Sequence, residues 1–123
     1  MTPLIDRVRD RLARSTAEEQ GRIAVVDCPP GTSCAAMAGV RGADLAILVT
    51  EPTPFGLHDL ELALQMCRAL AVPVAAVINR ADLGDRRVRA LLDAQGVEVV
   101  CEIDFSAELA GAYADGEPLL DAD

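Results

Sequence analysis

The residues able to do chemistry in this chain gather where its apolar runs stop. Ile23, Ala24, Val25 and Val26 lead into a carboxylate, Asp27, and then into Cys28-Pro29-Pro30-Gly31. Four apolar residues in a row read as a strand buried on both faces, as in parallel sheets. Neither proline donates a ladder hydrogen bond, so the sheet is expected to stop there. A lone acid at the carboxyl end of a buried strand stands where open α/β sheets bind ligands. This is the arrangement of a Walker B strand, whose Asp helps hold Mg2+ beside nucleotide phosphates. An Asp that merely caps the turn is the competing reading, and a bare strand-plus-Asp pattern leaves both open.

Two further polar loops follow apolar runs in the same way. Residues 44–50 end in Thr50-Glu51-Pro52-Thr53-Pro54-Phe55-Gly56, and Val72 to Ile78 ends in Asn79-Arg80-Ala81-Asp82. Asn-Arg-Ala-Asp resembles the guanine-reading Asn-Lys-x-Asp motif with Arg in place of Lys, although a capped turn would read the same. Other chemistries are weaker. Cys28 has no evident local base to activate it, and His58, the single histidine, lies beside Asp59 at a helix start. All 11 basic residues are Arg. A chain without Lys can carry neither a Gly-x-x-x-x-Gly-Lys-[Ser/Thr] phosphate loop nor the strand-end Lys of a phosphoacceptor receiver. The Asp-x-His-x-x-Gly run of a corrinoid domain is absent too.

Composition narrows the partners. The net charge of −9 argues against nucleic acid or an anionic membrane as the main partner, since both call for basic patches. No opening run resembles a signal peptide and no apolar stretch reaches spanning length, so a cytoplasmic protein is expected. Cys28, Cys34, Cys67 and Cys101 show no Cys-x-x-Cys spacing and are expected to be buried free thiols. Apolar residues make up 51% of the 123 and aromatics 2%, a mixture that suits Val-rich strands under Ala/Leu-rich helices in one domain spanning 1–123.

The elements that must position these loops alternate strictly. Residues 2–20 form an amphipathic helix with Thr2 as cap, Pro3 at its first position and Gly21 as its stop. Leu4, Ile5, Val8 and Leu12 are on its apolar face. Thr32 or Ser33 caps a short helix to about Val40. Leu57, Leu60, Leu64, Cys67 and Leu70 trace the next helix, Asp85 caps one bearing Val88, Leu91 and Leu92, and Ser106 caps the last. Val97 to Ile103 completes about four strands, and alternation of this kind implies parallel pairing with right-handed crossovers. The loops starting at Asp27, Thr50, Asn79 and Asp104 then share one edge of the sheet.

These runs together resemble the second half of MinD/ParA-superfamily P-loop ATPases, especially those with a ferredoxin insertion that relate to iron–sulfur or metallocofactor assembly. The matching stretches are Val26 to Cys34, Val49 to Leu60, and Ile78 to Leu83. The resemblance implies that Asp27 is the catalytic Walker B carboxylate, ordering Mg2+ through water. It implies that Pro29, Pro30 and Gly31 border the γ-phosphate, and that Asn79 and Arg80 contact the base. Glu51, Pro52 and Asp82 complete the nucleotide-binding set. ATP and Mg2+ are the family's ligands, with adenine against guanine left open by the residues themselves.

Departures from the family carry equal weight. The phosphate loop and the ferredoxin cysteines are missing, and Ile103 is followed by Asp104 where the family usually has Pro. The expectation is a partial P-loop fold lacking the phosphate-loop strand, binding no nucleotide tightly by itself. Its partner would be a Walker A/ferredoxin half on another chain, or a second copy in a homodimer. A non-catalytic interaction module derived from such an ATPase is the alternative. The strand missing between Ile23–Asp27 and Leu45–Thr50 leaves two outcomes: direct closure into a four-stranded sheet, or a partner in the slot. Direct closure is favoured, because about 17 residues suffice for a crossover between adjacent parallel strands.

Overall fold

A computed structural model describes residues 3–18 and 23–116. The elements are α1 (Pro3–Glu18), α2 (Cys34–Val40), β1 (Ala46–Thr50), α3 (Pro54–Ala69), β2 (Val74–Asn79), a 3-10 turn (Ala81–Leu83), α4 (Arg87–Ala94), β3 (Glu98–Ile103) and α5 (Ala107–Ala114). The three strands form one parallel sheet in the order β1-β2-β3. Ala46 pairs with Val74 and Thr50 with Ile78; Ala76 pairs with Val99 and Val77 with Cys101, one residue being absorbed between them by a bulge in β3. The fold is thus α/β, a parallel sheet flanked by helices, as the alternation implies.

Helix starts follow local side-chain chemistry. Ser33 Oγ accepts from the Ala36 N–H at 3.2 Å, Thr53 Oγ1 from Gly56 N–H at 2.9 Å, and Ser106 Oγ from Leu109 N–H at 3.2 Å. Asp85 takes the Arg87 N–H at 2.9 Å, so it serves α4 from just ahead of the first turn. The caps expected of Thr2 and Gly21 on the first helix lie outside the described residues. One face of the sheet is covered by α3 and α4. Leu60, Leu64, Ala76, Ile78, Val88 and Leu92 are buried there as one cluster, and Ala46, Cys67 and Val72 extend it toward the β1 end.

The first expected strand does not form. Residues 23–29 join no ladder, and Ile23 and Val25 are 91% and 89% exposed. Direct closure is therefore wrong: β1 pairs with β2 alone, and its outer edge meets no strand among the described residues. An apolar run becomes a strand only where a neighbour takes its N–H and C=O groups, and residues 23–29 meet no strand among the described residues. Gly39 of α2 lies so close to Cys28 that a Cβ there would fall 2.5 Å from its Sγ. Seated against α2, residues 23–31 stand across a gap from β1 instead of beside it.

Candidate functional site

The gap is a cleft of about 720 Å³, within the range that holds small ligands. Asp27 to Gly31 form one wall and the outer edge of β1 the other. Glu51, Thr53 and Asn79 close it at the carboxyl ends of the strands. Parallel pairing puts those ends on one rim, which is why loops distant in sequence meet here.

The floor at the β1 and β2 ends is held by short local bonds. Thr50, buried at the end of β1, donates from Oγ1 to Gly56 C=O at 3.2 Å. A Cβ at Gly56 would sit 2.2 Å from the Glu51 carbonyl, so the loop closes onto the start of α3 only with glycine there. Gly84 plays the same part across loops, since a Cβ there would fall 2.0 Å from the Pro52 carbonyl. The turn after β2 is thereby clamped to the loop after β1.

Polar side chains on this rim form a connected set. Asn79 Nδ2 donates to Glu51 Oε1 at 3.4 Å, and Arg80 Nε lies 3.7 Å from the same oxygen. Arg80 adopts a left-handed backbone, φ 52° and ψ 45°, which turns the chain out of β2 within one residue. Its guanidinium lies over the Phe105 ring, 5.7 Å from the centroid. The Phe105 N–H donates to Asp82 Oδ1 at 2.7 Å. One chain of contacts therefore runs from Glu51 after β1, through the turn after β2, to Phe105 after β3.

Among the residues expected at the site, Asp27, Pro29, Pro30, Gly31, Glu51 and Asn79 line the cleft together. Arg80 joins them through Glu51. Pro52 and Asp82 are turned elsewhere: Pro52 packs on Gly84 and borders a separate hollow of about 80 Å³, and Asp82 holds the Phe105 amide. Phe105 is the residue that motif reading passes over. Its signal was an aromatic just past a strand end in a chain with only two Phe.

The cleft's chemistry is acidic. Asp27 and Glu51 bring carboxylates to it, and no cluster of three His, Cys, Asp or Glu able to hold a metal occurs among the described residues. A divalent ion at Asp27 would draw its other ligands from water and phosphate oxygens, as Mg2+ ordinarily does. At the strand ends Asn79, Arg80 and Glu51 bring an amide, a guanidinium and a carboxylate together. Beside Asp27, the Cys28 thiol is held above its ordinary pKa by burial, then by the Asp27 charge, with Arg9 opposing.

Over 98 residues the chain is 32% identical to an uncharacterized protein of Methanocaldococcus jannaschii, a match covering 80% of this chain and 33% of that protein. Over 111 residues it is 27% identical to the iron-sulfur cluster carrier protein of Aquifex aeolicus, covering 78% of this chain and 30% of that protein. No family model matches the chain. It spans about a third of the length of these curated relatives. Distant similarity to an iron–sulfur cluster carrier protein thus extends over most of the chain.

Proposed function

We propose that this chain is the Walker B and base-recognition half of a MinD-like ATP-binding fold, active only when a phosphate-binding half is joined to it. The observation that carries this reading is the cleft beside the unpaired edge of β1, with Asp27 on one wall and Glu51 and Asn79 at the strand ends. The slot suits an added strand, because an open edge offers a row of N–H and C=O groups. Two thirds of the relatives' length lies beyond what this chain matches, so the completing segment belongs there or on a separate polypeptide. Similarity to an iron–sulfur cluster carrier protein supports a role in metallocofactor assembly, for which we propose a cytoplasmic setting.

In this reading Asp27 would hold Mg2+ through water, and Asn79 and Arg80 would contact the base. Mg2+ would supply charge neutralisation at the phosphates. The cradle of backbone N–H groups and its cation come from the other half. Alone, the chain should give no saturable heat with Mg-ATP or Mg-GTP at millimolar ligand in calorimetry. Joined to a half bearing a Gly-rich phosphate loop, it should hydrolyse ATP. Asp27→Asn should then slow turnover at least about tenfold, or about 1.4 kcal/mol of barrier. Unchanged turnover removes Asp27 from the mechanism, and micromolar nucleotide affinity of the isolated chain removes the half-site reading.

A second reading, a non-catalytic interaction module, draws on the bare face of β1, where Ile47 and Val49 are 56% and 69% exposed. A reconstituted pair that assembles without nucleotide turnover would favour it.

A further inference from the structure

We propose that Arg9 of α1 is the positioning residue for the Asp27 wall of the cleft: it ties α1 to the last turn of α2, and α2 seats the segment that carries Asp27. The inference rests on the proposed role of Asp27 and extends it to a residue that no motif marks.

The wall has little of its own to hold it. Among the described residues, 23–29 join no ladder, and Ile23 and Val25 stand exposed. Its position therefore depends on what Cys28 touches. That contact is α2, where Gly39 is packed so closely that a Cβ there would fall 2.5 Å from Cys28 Sγ. With seven residues, α2 is too short to hold its shape alone in water and depends on its neighbours. Val40 and the adjoining Ala43 pack it against Ala46, Cys67 and Val72.

Arg9 adds a second hold at the same end. Carbonyls in the last turn of a helix lack intrahelical donors. Met37 C=O accepts from the Arg41 N–H and Val40 C=O from the Ala43 N–H, both at 3.0 Å. Ala38 C=O accepts from Arg9 Nη1. A cation is favoured there, against the negative end of the helix. Gly42 leaves room for it, since a Cβ on that residue would come within 3.2 Å of Arg9 Nη2. Arg9 is half-buried, and its charge reaches the Cys28 thiol, where it opposes the effect of Asp27. It thus faces both the end of α2 and the residue beside Asp27. Leu4 and Val8 of α1 stay exposed, which leaves the docking of α1 more dependent on Arg9.

The test is alkylation of Cys28 by iodoacetamide in the full chain at neutral pH, without nucleotide or metal, read by mass spectrometry after digestion. Arg9→Met keeps an apolar stem and removes the donor. It should release the wall from α2 and speed labelling of Cys28 about fivefold or more, the loss of one charge-assisted hydrogen bond. A residue acting only as a nearby charge would give the opposite sign, because losing a cation disfavours the thiolate and slows its alkylation. Cys67 should stay protected in the variant. Cys34 and Cys101, exposed where buried thiols are expected, should label at unchanged rates. Arg9→Lys keeps a charged donor for the carbonyl and should stay within about twofold of wild type. Amide signals of Asp27, Cys28 and Gly31 should shift in Arg9→Met while those of Glu51 and Asn79 hold still. If Arg9→Met exposes Cys67 as well, Arg9→Gln carries the test, being polar but too short to keep the bond, and it should give the same acceleration. A Cys28 rate at or below the wild-type rate in the folded variant would overturn the tie and leave the role of Asp27 standing. Equal acceleration by Arg9→Lys and Arg9→Met would overturn the hydrogen bond as its source. The role of Asp27 itself falls only with unchanged turnover in Asp27→Asn.

Discussion

The two faces of this sheet differ in what they need. On one, α3 and α4 close over β1, β2 and β3, and Leu92, Val88 and Cys67 are fully buried. On the other, Ile47 and Val49 stand exposed, and residues 23–31 face β1 across an open cleft. The same kind of residue occupies both faces. What separates them is a covering partner within the chain, so the first face is a finished core and the second is a surface shaped for something else. Hydrophobic sequence records both alike, because burial depends on what packs against a residue.

Truncations on the two faces test that contrast most strongly. Leu92→Ala should cost about 2–5 kcal/mol, the loss of transfer energy plus a cavity. Ile47→Ala, more than half exposed, should stay within about 0.5 kcal/mol. Denaturant midpoints of the isolated chain measure both. Comparable losses at the two positions would mean that the open face is covered in solution.

Next in size is the clamp between the loops after β1 and β2. Gly84→Ala would place a Cβ 2.0 Å from the Pro52 carbonyl and 2.5 Å from the Pro52 Cβ. Backbone cannot yield as a side-chain tip does, so overpacking of about 1–3 kcal/mol is expected. The Asn79–Glu51 and Arg80–Glu51 contacts should loosen with it. A stable Gly84→Ala protein with unchanged Asn79 and Arg80 signals would show that the rim is set by its own residues instead.

The sequence was most informative where local chemistry decides. Ser33 and Ser106 cap their helices as expected, β1 and β3 fall within the expected runs, and β2 runs one residue past its own. Those features depend on neighbours a few residues away. Ile23 to Val26 failed because a strand needs a ladder partner, which an apolar run cannot specify. At the site, Asp27, Glu51 and Asn79 reach one cleft because parallel strands share a rim, and that much was legible in the alternation. Asp82 and Pro52 do not line the cleft: Asp82 accepts from the Phe105 N–H and Pro52 packs on Gly84, contacts made by other segments. A contact across 23 residues leaves no local pattern.

The smallest effects should come from two thiols, one on each side of the contrast. Cys67 is wholly buried on the inner face of α3, and burial alone lifts its pKa. Cys28, half-buried by α2 in the open half, donates to Val26 C=O at 3.8 Å. Its pKa is raised by burial first and by Asp27 second, against the pull of Arg9. For both groups the folded pKa lies above the unfolded one. The stability contributed by keeping the thiol neutral is therefore present below the unfolded pKa and is lost as pH rises through the folded pKa. Iodoacetamide should accordingly label Cys28 in the native protein with a rate that climbs with pH from an onset above the ordinary thiol range. Cys67 should be labelled only at the rate of unfolding. Asp27→Asn removes a charge that disfavours the Cys28 thiolate, so labelling of Cys28 should quicken at neutral pH while Cys67 keeps its rate. A segment seated in the cleft should do the reverse, protecting Cys28 and leaving Cys67 unchanged. Labelling is read residue by residue by mass spectrometry of the digested protein. An unchanged Cys28 rate in Asp27→Asn would mean that the carboxylate faces away from the thiol and that the wall of the cleft is arranged differently in solution.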